Sequence, residues 1–279
     1  PLPERHNPPL LQNSPMPPRK KKTVEPAPSA EEAVEAPAAE PEKVHPTIAA
    51  IPSIFNDAQV SKAKHRKCVA AILTSRASCP DLKAWDREFL SCVACVLPIG
   101  KKEAAVDRVI DFVVQLATQH GGEADVEDAF VEMLVRWLLA RCSNKEKAVR
   151  YRATQLVGGV FNGMHEDIEV SDELFDDVEA CMLERCQDKM PAVRAEAVTG
   201  LFRLQNPDDA RDRCTKELLR LMSEDPAKEV RMAAISAIAP GKTAIRFIML
   251  RARDAVEGVR MHALKVLREK VEMRWLSIE

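Results

Sequence analysis

Apolar residues in the second half of the chain recur four residues apart, in the same frame, four times. Val149, Ala153 and Val157 form the first set, and Val193, Ala197 and Leu201 the second. Val230, Ala234 and Ile238 form the third, and Val259, Ala263 and Leu267 the fourth. Four-residue spacing puts each set on one face of a helix. In every set an Arg follows the Val directly: Arg150, Arg194, Arg231 and Arg260. Five residues before each Val stands Asn144, Asp188, Asp225 or Asp254. The small Ala lets a neighbouring helix come close, and the short polar residue lies in the preceding turn, where it can accept from free backbone N–H groups. Fixed internal spacing with variable separation predicts an α-solenoid, which offers a long surface for partners rather than a catalytic pocket.

The same periodicity extends upstream. It predicts helices over 53–76, 81–97, 102–119, 125–142, 145–163, 172–187, 191–205, 208–223, 227–239, 242–253 and 256–269. Breaks fall at Cys79-Pro80-Asp81, Pro98-Ile99-Gly100, His120-Gly121-Gly122, Asn206-Pro207-Asp208 and Ala239-Pro240-Gly241. The short connections imply antiparallel hairpins. The predicted fold class is all-α, a solenoid over 51–279 preceded by a tail over 1–50. The first 46 residues hold 12 of the 19 prolines along with Ala/Glu runs. Such a segment buries too little apolar surface to offset its ordering entropy, so disorder is expected there.

Composition narrows the class further. The chain has 46% hydrophobic residues, only 9 Gly and a single Tyr, which suits an all-helical protein with a sizeable core. No apolar run reaches about 18 residues, so no membrane-spanning helix is expected. The polar, proline-rich start does not resemble a secretory signal. The eight cysteines lie mostly within apolar helical patterns, as reduced thiols of a cytosolic or nuclear protein would. Cys92 and Cys95 lack a second pair at zinc spacing, so no metal is expected.

The Asp…Val-Arg…Ala…Leu pattern resembles the second helix of HEAT repeats. Longer stretches narrow the likeness. They are Ala105 to Phe112, Ala148 to Arg152 and Asp172 to Asp176, then Met182-Leu183, Arg185, Asp188-Lys189, Pro191 and Val193-Arg194. Leu204-Gln205 with Pro207, Glu229 to Arg231, Ile238 to Pro240, and Glu269 to Val271 with Met273-Arg274 complete the set. In this order they resemble the CAP-G-type, non-SMC HEAT-repeat subunits of condensin. The resemblance implies a non-catalytic scaffold that binds the kleisin subunit and, with it, double-stranded DNA, in a complex built on SMC ATPases that compacts mitotic chromosomes. It implies no cofactor, no small-molecule substrate and no membrane partner. Expected localisation is the nucleus and mitotic chromosomes, with a cytoplasmic pool in interphase. It also implies that the chain is the N-terminal piece of a longer array. A further helix would then open over Met273 to Ile278.

The charge pattern supports a DNA partner. Net charge is −2, but it is unevenly spread. Lys62, Lys64, His65, Arg66 and Lys67 cluster with no local acid, and this cluster matches a basic patch that the family uses on DNA. Arg150 and Arg152 add charge if curvature brings them to the same groove. Residues 165–179, by contrast, hold eight acids and no Lys or Arg. Segregated charge of this kind suits backbone binding without sequence readout. Arg194, Arg231 and Arg260 are expected to pair with inter-helix Asp residues instead. Arg19, Lys20, Lys21 and Lys22 form a candidate nuclear-import signal, with a solvated charge patch as the alternative.

Other patterns carry less. Pro240-Gly241-Lys242-Thr243 ends like a phosphate-binding loop, but Ser236 stands where that loop needs Gly, and no strand precedes it. Asp172, Glu173, Asp176 and Asp177 lack calcium-loop spacing. No motif places a catalytic Ser/His/Asp or Cys/His set. The alternative functions for such a solenoid are an adaptor for nuclear-transport cargo and a phosphatase-type regulatory scaffold.

Overall fold

The computed structural model describes residues 44–119, 126–165 and 168–270, excluding the Lys270 side chain. The candidate import signal Arg19–Lys22 and nearly all of the tail expected over 1–50 lie outside these residues, as does the helix expected from Met273. From Val44 onward the described residues belong to one compact unit. Among them every regular element is helical.

The elements are α1 (Pro46–Ala49), α2 (Ile51–Val60), a 3-10 turn (Lys62–Lys64), α3 (His65–Ala77), α4 (Leu82–Ala94), α5 (Ala104–Ala117) and α6 (Asp128–Cys142). Then follow α7 (Lys147–Gly163), α8 (Asp172–Arg185), α9 (Pro191–Gly200) with a 3-10 extension (Leu201–Arg203), α10 (Arg213–Glu224), α11 (Lys228–Ala237), α12 (Lys242–Arg251) and α13 (Glu257–Lys270). Short polar residues start several of them. Asp81 accepts from the Ala84 N–H, Ser171 from Leu174 and Asp212 from Thr215, so free amides at the starts of α4, α8 and α10 are satisfied.

From α6 on, consecutive helices pair as hairpins: α6 with α7, α8 with α9, α10 with α11, and α12 with α13. The second helices stack side by side in one row, α5, α7, α9, α11 and α13. The first helices stack in another, α6, α8, α10 and α12. The four-residue sets seat the first row. Ala153, Val193, Ala197, Val230, Ala234, Val259 and Ala263 are all fully buried. Val149 departs from that pattern and is half-buried at the edge of the core. Small residues set the helix spacing. A Cβ on Gly158 would lie 3.0 Å from the Gly200 Cα, so α7 and α9 touch backbone to backbone there.

The first predicted helix, 53–76, is in fact two. Ser61 adopts extended backbone (φ −157°, ψ 135°), and the chain turns through Lys62–Lys64 before α3 begins. Ser61 caps the turn by accepting from the Ala63 N–H, and tertiary packing holds the bend. The His65 ring packs near Phe112 with its Nε2 3.1 Å from the Ala58 carbonyl oxygen, which folds α3 back against α2 and α5. Phe55, Trp85, Phe89, Phe112 and Phe130 fill this corner as a chain of edge and stacked ring contacts.

Candidate nucleic-acid interface

The inter-helix turns and the arginines of the second helices form a ladder. Arg150 grips Asp188 with two hydrogen bonds, Nε–Oδ2 at 2.7 Å and Nη2–Oδ1 at 3.1 Å. Arg194 grips Asp225 in the same way at 2.8 and 2.8 Å, and Arg231 grips Asp254 at 2.9 and 2.8 Å. Each Asp also accepts from the backbone N–H two residues on, in Met190, Ala227 and Val256. Nη1 of each Arg donates to the carbonyl of its own turn, at Asn144, Asp188 and Asp225. One side chain thus closes its own hairpin turn and clasps the next. A planar guanidinium suits this double duty, because its donors sit in a fixed fork.

Charge and burial agree on this role. Burial alone would push the Asp188 carboxyl up, but its bonds to Arg150 and the Met190 N–H, with Arg185 nearby, hold it below the usual carboxylate value. Asp254 follows the same logic, with Arg231, the Val256 N–H and Arg251 outweighing burial. The hydrogen bond to Asp225 raises the Arg194 guanidinium.

The ladder corrects part of the DNA reading. Arg150 is committed to Asp188 and is no free cation. Arg152 is 1% exposed and spends its donors on the Ile99 and Lys101 carbonyls, Gln155 and Asp107. Arg152 cannot reach a phosphate without opening the fold, and Arg150 is half-buried in its pair with Asp188. His65 is likewise buried in the packing described above.

The rest of the cluster is on the surface. Lys62, Lys64, Arg66 and Lys67 are all exposed around the Ser61 break. Two of them have acidic partners. Lys64 bonds Asp57 of α2 at 2.7 Å, and Lys62 pairs with Asp111 of α5. The Lys64–Asp57 hydrogen bond raises the lysine and lowers the aspartate. Arg66 and Lys67 make no ion pair among the described residues.

Other exposed lysines join this edge. Arg152 pins the Ile99–Lys101 loop, and a Cβ on Gly100 would lie 3.2 Å from the Ala148 Cβ. The turns that start α5 and α7 are therefore neighbours, and they expose Lys101, Lys102, Lys145 and Lys147 against Glu103 and Glu146. Lys145 and Lys147 lie within a few residues of Arg150 and Arg152 in the sequence. Lys101-Lys102, directly after Pro98-Ile99-Gly100, was the available signal for the other two. Lysines at helix N-termini oppose the helix dipole, so their placement gains nothing from the helices themselves.

The remaining candidates resolve as structure. On the outer helices Arg136 bridges Glu132, Glu173 and Asp177, which ties α6 to the acidic start of α8. Gly241 caps α12, and Lys242-Thr243 are its first residues, so the phosphate-loop mimic is an inter-helix turn. Cys92 is half-buried, and burial raises its thiol to about 11. Among the described residues no group of three His, Cys, Asp or Glu side chains could hold a metal, and no helix is long and apolar enough to cross a membrane.

Stacked hairpins with an Arg–Asp clasp at three successive turns, and charge rather than a cleft as the distinguishing surface feature, define the class: a HEAT-type α-solenoid. Comparison with known proteins narrows this. A family model described as sister chromatid cohesion protein PDS5 matches residues 137–269, from α6 through α13. Condensin complex subunit 3 of Xenopus laevis is 34% identical over 235 residues, covering 82% of this chain and 23% of that protein. The Homo sapiens protein of the same name is 33% identical with the same coverage. In the crystal structure of the S. pombe condensin Cnd3–Cnd2 subcomplex, one chain matches with a TM-score of 0.70 at 28% identity, covering 81% of this chain and 28% of that chain. The condensin likenesses span more of the chain than the PDS5 model does. The chain is a homologue of part of condensin complex subunit 3, and it spans about a quarter of the length of these curated relatives.

Proposed function

We propose that this chain is the DNA-side portion of a non-catalytic condensin HEAT subunit, which binds a kleisin and double-stranded DNA and supports mitotic chromosome condensation. The observation that carries the reading is the likeness, over 81% of the chain, to a condensin Cnd3–Cnd2 subcomplex. In this reading Cnd2 marks the kleisin's place, and the SMC ATPases are reached indirectly through it. The subunit works in the nucleus and on mitotic chromosomes, and Arg19 to Lys22 direct import from a tail, expected over 1–50, that precedes the helical unit; that unit already includes α1 at Pro46–Ala49.

The DNA surface consists of Lys62, Lys64, Arg66 and Lys67, continued by Lys101, Lys102, Lys145 and Lys147. These take the place first given to Arg150, Arg152 and His65. The exposed cations hold the phosphate backbone and displace condensed counterions, with no base-reading element needed. The pairs Lys62–Asp111 and Lys64–Asp57 are solvent-exposed, so exchanging a carboxylate for a phosphate costs little.

The test is binding of a labelled kleisin segment, followed by addition of duplex DNA. A saturable complex whose DNA affinity exceeds that of the chain alone is expected. Absence of kleisin binding by the full-length subunit would overturn the reading. Alanine at Arg19 to Lys22 should lower nuclear entry of a fluorescent fusion.

A further inference from the structure

Two thiols meet between neighbouring hairpins. Cys142 closes α6 and is fully buried, and Cys181 lies half-buried on α8, which packs against α6. One turn beyond Cys181, Arg185 donates from Nη1 to the Cys142 carbonyl at 3.0 Å, so this turn of α8 rests on the end of α6. The two sulfurs are hydrogen-bonding neighbours.

Buried donors at the same spot are unspent. Thr154 is fully buried on α7, and Arg185 is 9% exposed. Thr154 Oγ1 and Arg185 Nε both lack a well-formed hydrogen bond, although both side chains lie beside the Cys142 thiol. A buried donor left without a partner costs stability. A thiolate at Cys142 gives both donors an acceptor. The bond from Cys181, with help from Thr154 and Arg185, holds the Cys142 thiol below its ordinary value despite burial, and the same bond pushes Cys181 up. Elsewhere burial wins, raising Cys92 to about 11 and Cys214 to about 12. The thiolate is the form that reacts with oxidants.

We propose that Cys142 and Cys181 form a reversible oxidation site, a dithiol that hydrogen peroxide converts into a disulfide between α6 and α8. The Cys142 thiolate attacks one peroxide oxygen, the O–O bond breaks, and the hydroxide released takes a proton to become water. Cys181 then gives up its proton and attacks the sulfenic sulfur. The S–S bond forms, the S–O bond breaks, and the oxygen leaves as a second water. The two thiols are oxidised and the peroxide is reduced. The bond ties the α6–α7 hairpin to the α8–α9 hairpin and fixes the spacing of two successive repeats. In a reducing compartment it is a transient state, reversed by thiols. This inference does not depend on the DNA reading.

The experiment treats the folded full-length subunit with hydrogen peroxide, alkylates the remaining thiols and maps linked peptides by mass spectrometry without reduction. A Cys142–Cys181 peptide that dithiothreitol removes is expected. It should form at least about tenfold faster than any link between the buried Cys186 and Cys214. Oxidation should raise Tm by several degrees in wild type and leave Cys181→Ser unchanged, because the closed loop constrains the unfolded chain. Thr154→Val keeps the side-chain shape and should slow bond formation severalfold at unchanged helicity. Absence of the linked peptide from the folded protein, its formation only in urea, an unchanged Tm on oxidation, or an unchanged rate in Thr154→Val would overturn the proposal.

Discussion

Removing one carboxylate from the ladder should weaken the solenoid more than removing a whole rung. Asp225 has 3% of its side chain exposed and Arg194 12%, and two 2.8 Å hydrogen bonds join them. Asp225→Ala strands the guanidinium against α10 and α11 and frees the Ala227 N–H. Breaking a buried pair from one side costs about 3–5 kcal/mol. For a unit of this size that corresponds to a fall in Tm of about 6–20 °C. Arg194→Met with Asp225→Leu removes both charges and fills the space. The double variant still loses the charge-assisted bonds to the Ala227 N–H and the Asp188 carbonyl, about 1.5 kcal/mol each at the low end for charged partners, but leaves no buried charge unpaired. Urea unfolding of wild type, both single variants and the double variant measures the cycle. The expected result is a double variant more stable than Asp225→Ala. A single-variant cost below about 1 kcal/mol, or a double-variant cost equal to the sum of the singles, would refute the clasp argument.

Further predictions rest on other features. Gly158→Ala and Gly200→Ala should each destabilise by about 1–3 kcal/mol, because the added Cβ meets backbone or Met182 Sδ at 3.0 Å or less. Gly241→Ala meets nothing within 4 Å and should be near neutral in the same denaturation assay. The folded Asp188 and Asp254 carboxyls sit below their usual value, so they stabilise the fold above the unfolded value near 3.8. That contribution is lost as pH falls through the folded values, so acid unfolding should steepen below about pH 4. Asp188→Asn with Asp254→Asn should flatten this limb, read by circular dichroism. Arg152→Glu should unfold the α5–α7 junction, which would appear as lost helicity rather than as a pure binding defect.

The repeat register was plain in the sequence because one helix face obeys one rule. Val, Ala and an aliphatic residue four apart have few readings other than a buried stripe, and seven of the eight Val and Ala positions are fully buried. The ladder was legible for Arg194, Arg231 and their Asp partners. The same logic applied to Arg150, which was instead assigned with Arg152 to the DNA groove. Arg152 could not be read at all. Its partners Ile99, Lys101 and Asp107 lie about 45–53 residues away, and only the packing of α5 on α7 joins them. The Ser61 break was hidden for a similar reason, since Ala, Lys and His are all tolerated in helices. The local signal there is only Ser61, whose side chain accepts from the Ala63 N–H, while the contact of His65 with Phe112 that accompanies the bend has no local pattern. Asp111, the partner of Lys62, was invisible for the same cause, whereas Asp57, seven residues before Lys64, was in view. Local charge counts therefore overstated how free the cluster is, and they included the buried His65.

The most direct test of the central claim is a titration of the full-length subunit, bound to its kleisin segment, with duplex DNA of random sequence at several salt concentrations. The comparison protein carries Lys62→Glu, Lys64→Glu, Arg66→Glu and Lys67→Glu, all at exposed positions, so its helical content should match wild type. Each phosphate contact contributes about 0.9 to the log–log salt slope, so losing four should flatten that slope by about 3 to 4 and weaken binding at low salt by orders of magnitude. Binding by the reversed protein that equals wild type at every salt would contradict the account, and the DNA would then have to run over another face of the solenoid.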